Sequence, residues 1–324
     1  MTRALRTGNA QEWRERMVSL TPYGGLVALL IVFSASSPVF LTVPNFQEII
    51  RQAAILVLIA LAETFVVLIG CIDLSVGTIV SFTGLSAAYL ISKDVNELIV
   101  VAIVMIMGMV IGLTNGVIYR YGRVPSFIST LGMSFVLQGL MQELYGPVPI
   151  VLEAPSLTAA VNGMFLGIVP NVGIIAVLLL VLSIVQARGT AVGRYMYAIG
   201  GNERVAELSG IQVGVVKLVT FTVAGLLCGA ASVLLAVRID SGTATMGSGF
   251  LLPAIAAVVI GGTPLTGGIG GPARTVLGVL LLGVLLNGMT LLSVGPFTQL
   301  IIQGAVVIGA VVLAAARTPD AIVK

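Results

Sequence analysis

The sequence predicts an all-α polytopic membrane protein, and three observations carry that prediction. Only 9% of the 324 residues are charged and 58% are hydrophobic, whereas a soluble domain carries about 25% charged residues to keep its surface in water. Apolar stretches of about 20 residues, the length that crosses a hydrocarbon core as a helix, recur from end to end. The polar segments between them are mostly short, so lipid is the solvent that suits this composition. Strands that alternate apolar and polar residues, the mark of an outer-membrane barrel, are not the pattern.

Taken in order, the apolar stretches give about ten spans, at residues 21–41, 49–69, 73–92, 98–118, 124–144, 169–187, 216–237, 250–266, 274–294 and 297–316. Glycine, proline or polar residues interrupt the third, fifth and eighth, as in re-entrant or discontinuous helices that line a pathway. The 39 glycines suit such breaks, and they equally suit close packing of one helix backbone on another. Residues 1–20 read as a charged cytoplasmic segment, too long and too polar to resemble a cleavable signal. Residues 21–316 form one transmembrane domain, and residues 317–324 a cytoplasmic tail.

Basic residues set the orientation. With both termini cytoplasmic, Arg3, Arg6, Arg14, Arg16, Arg120, Arg123, Arg188, Arg194, Arg204, Lys217, Arg274, Arg317 and Lys324 lie inside, and only Arg51, Lys93 and Arg238 outside. This is the asymmetry of the positive-inside rule, and one span more or fewer would scatter it.

Two connecting segments are long. Residues 145–168 fall outside and are placed to close over the external mouth. Residues 188–215 fall inside and are polar; within them Asn202 can cap a short helix over ERVAELSG, and Gly210 is placed to end it. A structured helix between two spans points to a protein partner. There is also a faint internal echo between VLIGCIDLSVG at 67–77 and VVIGGTPLTGG at 258–268. Asn115-Gly116 and Asn287-Gly288 recur at a different offset, and the span count puts them on opposite sides of the membrane.

The chain has no histidine, which removes the commonest general base and zinc ligand. Its lysines, Lys93, Lys217 and Lys324, stand in no phosphate-binding loop. No catalytic and no metal-ligating residues are assigned. Cys71 and Cys228 lie in apolar surroundings and read as small buried hydrophobes, not as a disulfide. Six candidate polar positions lie within the spans or at their ends, and Ser75 stands two residues after Asp73. Asp73 either faces a wet pathway or accepts backbone N–H groups at the start of the third span. Glu63, the deepest acid, suits proton or ion coupling, a structural network or a water-filled lumen. Asn115, Ser126, Ser129 and Thr130 suit a polyhydroxylated solute or helix–helix hydrogen bonds. Aromatic residues make up 6% of the chain, leaving few stacking platforms for a sugar ring.

Four stretches, GCIDLSVG at 70–77, TNGVIYRYGRVPSFISTLG at 114–132, GRYMYAIGGNERVAELSGI at 193–211 and AVVIGGTPLTGGIGG at 257–271, occur in a recognisable order. Together they closely resemble the permease family of bacterial monosaccharide ABC importers, of the ribose, xylose and galactose type, over about residues 20–315. The resemblance implies a type II-like importer permease in the inner membrane that moves a pentose or hexose inward by alternating access. A second permease, identical or homologous, would pair with it. Cytoplasmic ATP-binding subunits would use the ATP and magnesium, and a periplasmic or lipid-tethered binding protein would deliver the sugar. This chain itself would bind no cofactor. The pathway candidates become Glu63, Asp73, Ser75, Asn115, Ser126, Ser129 and Thr130. Coupling to the ATPase falls to Asn202, Glu203, Ala206, Ser209 and Gly210. Two departures from the usual pattern are Cys71 in place of a glycine, which predicts tighter packing, and Pro272, which is placed to begin the next helix. A furanose, a polyol or a sugar-like signal as solute, and an ion-coupled secondary carrier, are the alternative readings.

Overall fold

The computed structural model describes residues 21–315; the predicted end segments, with Arg3, Arg6, Arg14, Arg16, Arg317 and Lys324, lie outside the described residues. The chain runs through α1 (Thr21–Ser36), α2 (Val43–Leu68), α3 (Val76–Ile91), α4 (Glu97–Gly122) and α5 (Ser126–Tyr145). Next come β1 (Ile150–Val151), α6 (Pro155–Asn162), β2 (Met164–Phe165) and β3 (Val169–Pro170). Then follow α7 (Asn171–Gly189), α8 (Ala191–Gly201), α9 (Glu203–Leu208), α10 (Val213–Arg238) and β4 (Ser241–Gly242). A 3₁₀ turn at Ser248–Phe250 leads into α11 (Leu251–Ile260), α12 (Pro272–Leu291) and α13 (Pro296–Ala315). The fold is all-α and polytopic, with only two antiparallel two-residue ladders among the described residues, β1 on β4 and β2 on β3.

Five helices, α2, α4, α7, α10 and α12, are long and apolar enough to cross a membrane, while α1, α3, α11 and α13 supply shorter apolar stretches. The boundaries depart from the sequence reading where proline or glycine intervenes. α1 ends at Ser36 instead of residue 41, because Pro38 disfavours helical backbone at Ser37. α2 starts six residues early, at Val43, with Pro44 tolerated in its first turn. α3 starts at Val76, three residues late, which leaves Asp73 in the connection. α11 stops at Ile260 instead of residue 266, since Gly262 takes φ +90° and Pro264 follows. Pro272 does open α12, as expected from its fixed φ.

α2 is the central element, buried on all sides from Ala53 to Leu68; only a helix apolar all round sits comfortably there. α4 and α10 pack most closely. Gly108, Gly112 and Gly116 form a stripe at four-residue spacing on α4 and face Phe221, Gly225 and Gly229 on α10. A side chain at Gly112 would collide with the Phe221 carbonyl, and one at Gly225 with the Gly108 carbonyl. Without a hydrophobic drive between helices in lipid, this backbone approach is the source of contact energy.

The bundle has two distinct ends. At one, Glu48 of α2 meets Arg238 of α10 at 2.5 Å and Arg51 at 3.9 Å. There Asn45 and Asn287 also exchange two amide hydrogen bonds, at 3.1 and 2.8 Å. The segment after α5 folds over this end, its α6 held by the Glu97 carboxylate, which accepts Leu157 N–H at 2.6 Å. The other end carries α8, α9, the α4–α5 turn and two non-helical segments, residues 69–75 and 261–271. Asn115 and Asn287 therefore lie at opposite ends, as the span count required.

Candidate functional site

Backbone that leaves a helix at membrane depth must find acceptors within the protein. Residues 69–75, between α2 and α3, do so through the polar side chains singled out in the sequence. Ile72 N–H donates to Ser126 Oγ at 3.1 Å, and Asp73 N–H to Glu63 Oε1 at 3.3 Å. Leu74 N–H donates to Thr130 Oγ1 at 2.9 Å, and Ser75 N–H to Asp73 Oδ1 at 2.8 Å. Asp73 Oδ1 also accepts the Ser75 hydroxyl at 2.5 Å, and Asn115 Nδ2 donates to Ser75 Oγ at 2.8 Å. The structure thus gathers Glu63, Asp73, Ser75, Asn115, Ser126 and Thr130 into one buried network. Ser129 stands apart: its hydroxyl donates to Ser126 O of its own helix at 2.9 Å. Ser134, which the sequence reading missed, donates to Leu74 O at 3.1 Å; its spacing of four from Thr130 on one helix face was the available signal.

The second segment, residues 261–271, packs against the first. Gly268 N–H donates to Leu68 O at 3.0 Å. Any side chain at Gly267, which sits at φ +81°, would strike the backbone of Leu68 and Gly70. The two stretches that echo one another in sequence are thus in contact. Thr263 Oγ1 accepts Gly271 N–H at 2.9 Å, and Thr64 shares a 2.7 Å hydroxyl contact with Thr275, so α2 and α12 are tied beside the join. Cys71 and Cys228 are buried and free.

α8 and α9 sit on this join. The sequence predicted α9 but not α8, whose entry is capped by Thr190 Oγ1 accepting Gly193 N–H at 3.0 Å. Thr190 followed by a short run with one apolar face was the readable signal; the glycines at 193, 200 and 201 obscured it. Gly200 presses against Leu68 O and the Gly268 backbone, and Tyr197 Oη donates to Gly270 O at 3.1 Å. The α8 end therefore touches the last residue of α2 and the 261–271 segment at once.

In α9, Asn202 Oδ1 accepts Val205 N–H at 3.1 Å, the N-cap that the sequence suggested. Gly210, at φ +85°, closes the helix as a Schellman motif: Ile211 N–H reaches Ala206 O at 3.1 Å and Gly210 N–H reaches Glu207 O at 3.0 Å. Glu203 pairs with Lys217 of α10 at 2.7 Å, and Lys217 also donates to Tyr119 Oη of α4 at 2.9 Å. Ser209 donates back to Val205 O at 2.8 Å, and Ala206 is buried under the helix. The five residues assigned to coupling are thus placed to hold α9 in position. What α9 presents outward is apolar: Val205 is 57% exposed and Leu208 73% exposed. Beside it lies a cleft of about 570 Å³ lined by Tyr119, Arg120, Arg123, Glu203, Glu207 and Lys217. Among the described residues no group of three His, Cys, Asp or Glu side chains is arranged to hold a metal ion.

Residues 45–311 match the family described as branched-chain amino acid transport system / permease component, and the chain belongs to this class of transporter permeases. Its relatives place it among the permeases of bacterial monosaccharide ABC importers. The ribose import permease of Bacillus subtilis (strain 168) is 40% identical over 299 residues, covering 92% of either chain. That of Escherichia coli (strain K12) is 37% identical over 293 residues, 89% of this chain and 91% of the relative. The L-arabinose ABC transporter permease of Azospirillum brasilense is 33% identical over 291 residues, 89% of this chain and 86% of the relative. No solved structure matches the chain. As a permease component the chain is not an enzyme, and the membrane-embedded, multi-pass reading holds.

Proposed function

We propose that the chain is the membrane half of an importer for a monosaccharide, a pentose or a hexose, working by alternating access. It spans the cytoplasmic membrane about ten times with both termini inside, and α8 and α9 face the cytoplasm. A second permease, identical or homologous, pairs with it around the pathway, a periplasmic or lipid-tethered protein delivers the sugar, and an ATP-binding subunit docks below. The observation that carries this reading is the wedge of α8 against the end of α2 and the 261–271 segment, beneath an α9 with two outward apolar side chains. A subunit that grips Val205 and Leu208 moves α9, and the Gly200 contact passes that movement to the end of α2 and to the segment between α11 and α12.

Asn202, Glu203, Ala206, Ser209 and Gly210 serve this coupling by fixing the shape and seat of α9. Glu63, Asp73, Ser75, Asn115, Ser126 and Thr130 serve transport by holding the α2–α3 connection; Ser129 is an auxiliary position on α5. The test is gentle purification of a tagged chain from native membranes with mass spectrometry of what accompanies it. We expect a stoichiometric ATP-binding subunit, and we expect Leu208→Glu to lose it while leaving the amount of folded permease unchanged. A chain that purifies alone and transports in liposomes without nucleotide would overturn the importer reading in favour of a secondary carrier. Uptake by vesicles loaded with the partner ATPase, compared across ribose, xylose, arabinose, galactose and allose, then fixes the sugar.

A further inference from the structure

A solute that crosses this bundle needs polar groups within its reach, and the network at the α2–α3 turn offers none: Glu63, Asp73, Ser75, Asn115 and Thr130 are enclosed there. Accessible polar groups at membrane depth lie instead on the uncovered side of α5. This helix has the same 20-residue length as α12, yet it is not among the five helices apolar enough to span. Its buried residues, among them Ser126, Thr130, Ser134, Leu137 and Met141, form one stripe, and the helix packs on α3 and α4. Phe135, Gln138 and Gln142 form a second stripe, which is exposed.

Neither the Gln138 nor the Gln142 amide has a hydrogen-bond partner. Gln138 stands twelve residues after Ser126 and seven before Tyr145, about 18 Å from one end of the helix and about 10 Å from the other. Hydrocarbon at that depth leaves an amide unsatisfied. α7 shows what a lipid face looks like in this chain: between residues 174 and 185 every exposed side chain is Ile, Val or Leu. The amides of α5 therefore face water or a polar partner. Phe135 adds an apolar surface beside them. It is 64% exposed, and a side chain built at Gly132 or Gly139, three residues before it and four after, would meet nothing within 4 Å. The ring is thus bare along the helix in both directions.

A monosaccharide has the complementary surfaces, C–H groups to lie on an aromatic ring and hydroxyls that both donate to and accept from amides. A second helix fits less well. Where α4 and α10 press together, the glycines of α4 recur every four residues; on α5 they stand seven apart with a phenylalanine between. We propose that Phe135, Gln138 and Gln142 form a sugar subsite in the translocation pathway, the ring carrying the C–H face of the passing monosaccharide and the amides taking its hydroxyls. One ring and two amides hold a sugar weakly, as a path that must release its solute requires. The occupant rests on the importer reading; the exposure of this face to water does not.

The complex, purified with the subunits that accompany it and reconstituted in liposomes, is tested with Gln138→Cys and with Val136→Cys, which lies on the far side of α5. Cys71 and Cys228 are enclosed and give little background. A charged, membrane-impermeant thiol reagent supplied on both sides is expected to label Gln138→Cys about tenfold faster than Val136→Cys, because the reactive thiolate forms in water. No labelling at 138, or equal labelling at both positions, overturns the wet face. A disulfide joining two copies through 138, without labelling, makes this face a seam between permeases and overturns the subsite. Nucleotide-driven uptake of ribose, xylose, arabinose, galactose and allose is then compared between the unmodified complex and Gln138→Leu. Uptake of the sugar carried is expected to fall by about 3- to 10-fold, the effect of one hydrogen bond, with the ATP-binding subunit retained in full amount. Uptake that Gln138→Leu leaves unchanged overturns this subsite alone. Absence of nucleotide-driven uptake by the unmodified complex overturns the importer reading, and with it the sugar as occupant.

Discussion

A peptide N–H that leaves a helix inside lipid has no water to turn to, and residues Ile72 to Ser75 show four consecutive groups answered by side-chain oxygens. Asp73 takes part both as a donor and as an acceptor. Its carboxylate accepts from Ser75, just before the helix, and the first turn of α3 receives no side-chain cap; the acid shapes the entry and does not cap the helix proper. The same logic separates Thr130 from Ser129, neighbours that the sequence treats alike. Thr130→Val strands the Leu74 N–H in the interior and is expected to cost about 1–3 kcal/mol. Ser129→Ala removes only a bond within α5 and is expected to stay within about 0.5 kcal/mol. Unfolding of the two variants in detergent, followed side by side, checks the difference; equal losses would mean that α5 contributes by packing alone.

At the scale of the helix, the glycines sort by what lies opposite them. Gly112 of α4 abuts the Phe221 carbonyl, whereas nothing lies near Gly132 of α5. Gly112→Ala is therefore expected to destabilise by about 1–3 kcal/mol through forced separation of α4 and α10. Gly132→Ala is expected to be neutral or to gain up to about 1 kcal/mol from helix propensity. The yield of monodisperse protein and its melting temperature report both. Apolar length made each long helix legible in the sequence, and the Asn202 and Gly210 caps made α9 legible. Less was readable at the breaks. Residues 261–266, GGTPLT, carry the glycine and proline that the sequence registered as an interruption of the eighth span, but the point at which the helix stops is marked only by the positive φ at Gly262. The candidate site was legible as a set of residue types, because buried polar groups in an apolar chain are conspicuous. Its geometry was not, because Glu63, Asn115 and Thr130 come from three helices that only tertiary packing brings to one turn.

The whole molecule is polar at its two ends and apolar between them, and the proposed orientation assigns a side to each. Cys71 and Cys228 are enclosed, so a membrane-impermeant maleimide finds little background on the unmodified chain. In right-side-out vesicles Lys93→Cys is expected to label at once, and Arg194→Cys only after the membrane is opened. The reverse order would invert the topology, and with it the side on which α9 sits. Glu48 adds a mechanical consequence. By gripping Arg238 as well as Arg51, it fastens α2 to α10 at the end farthest from α8, and the Asn45–Asn287 exchange fastens α12 there too. At the other end α2 meets α8 through backbone atoms of glycine segments, with no ion pair between them among the described residues. On the proposed mechanism the riveted end is the fulcrum, and a displacement applied at α8 acts on the opposite end.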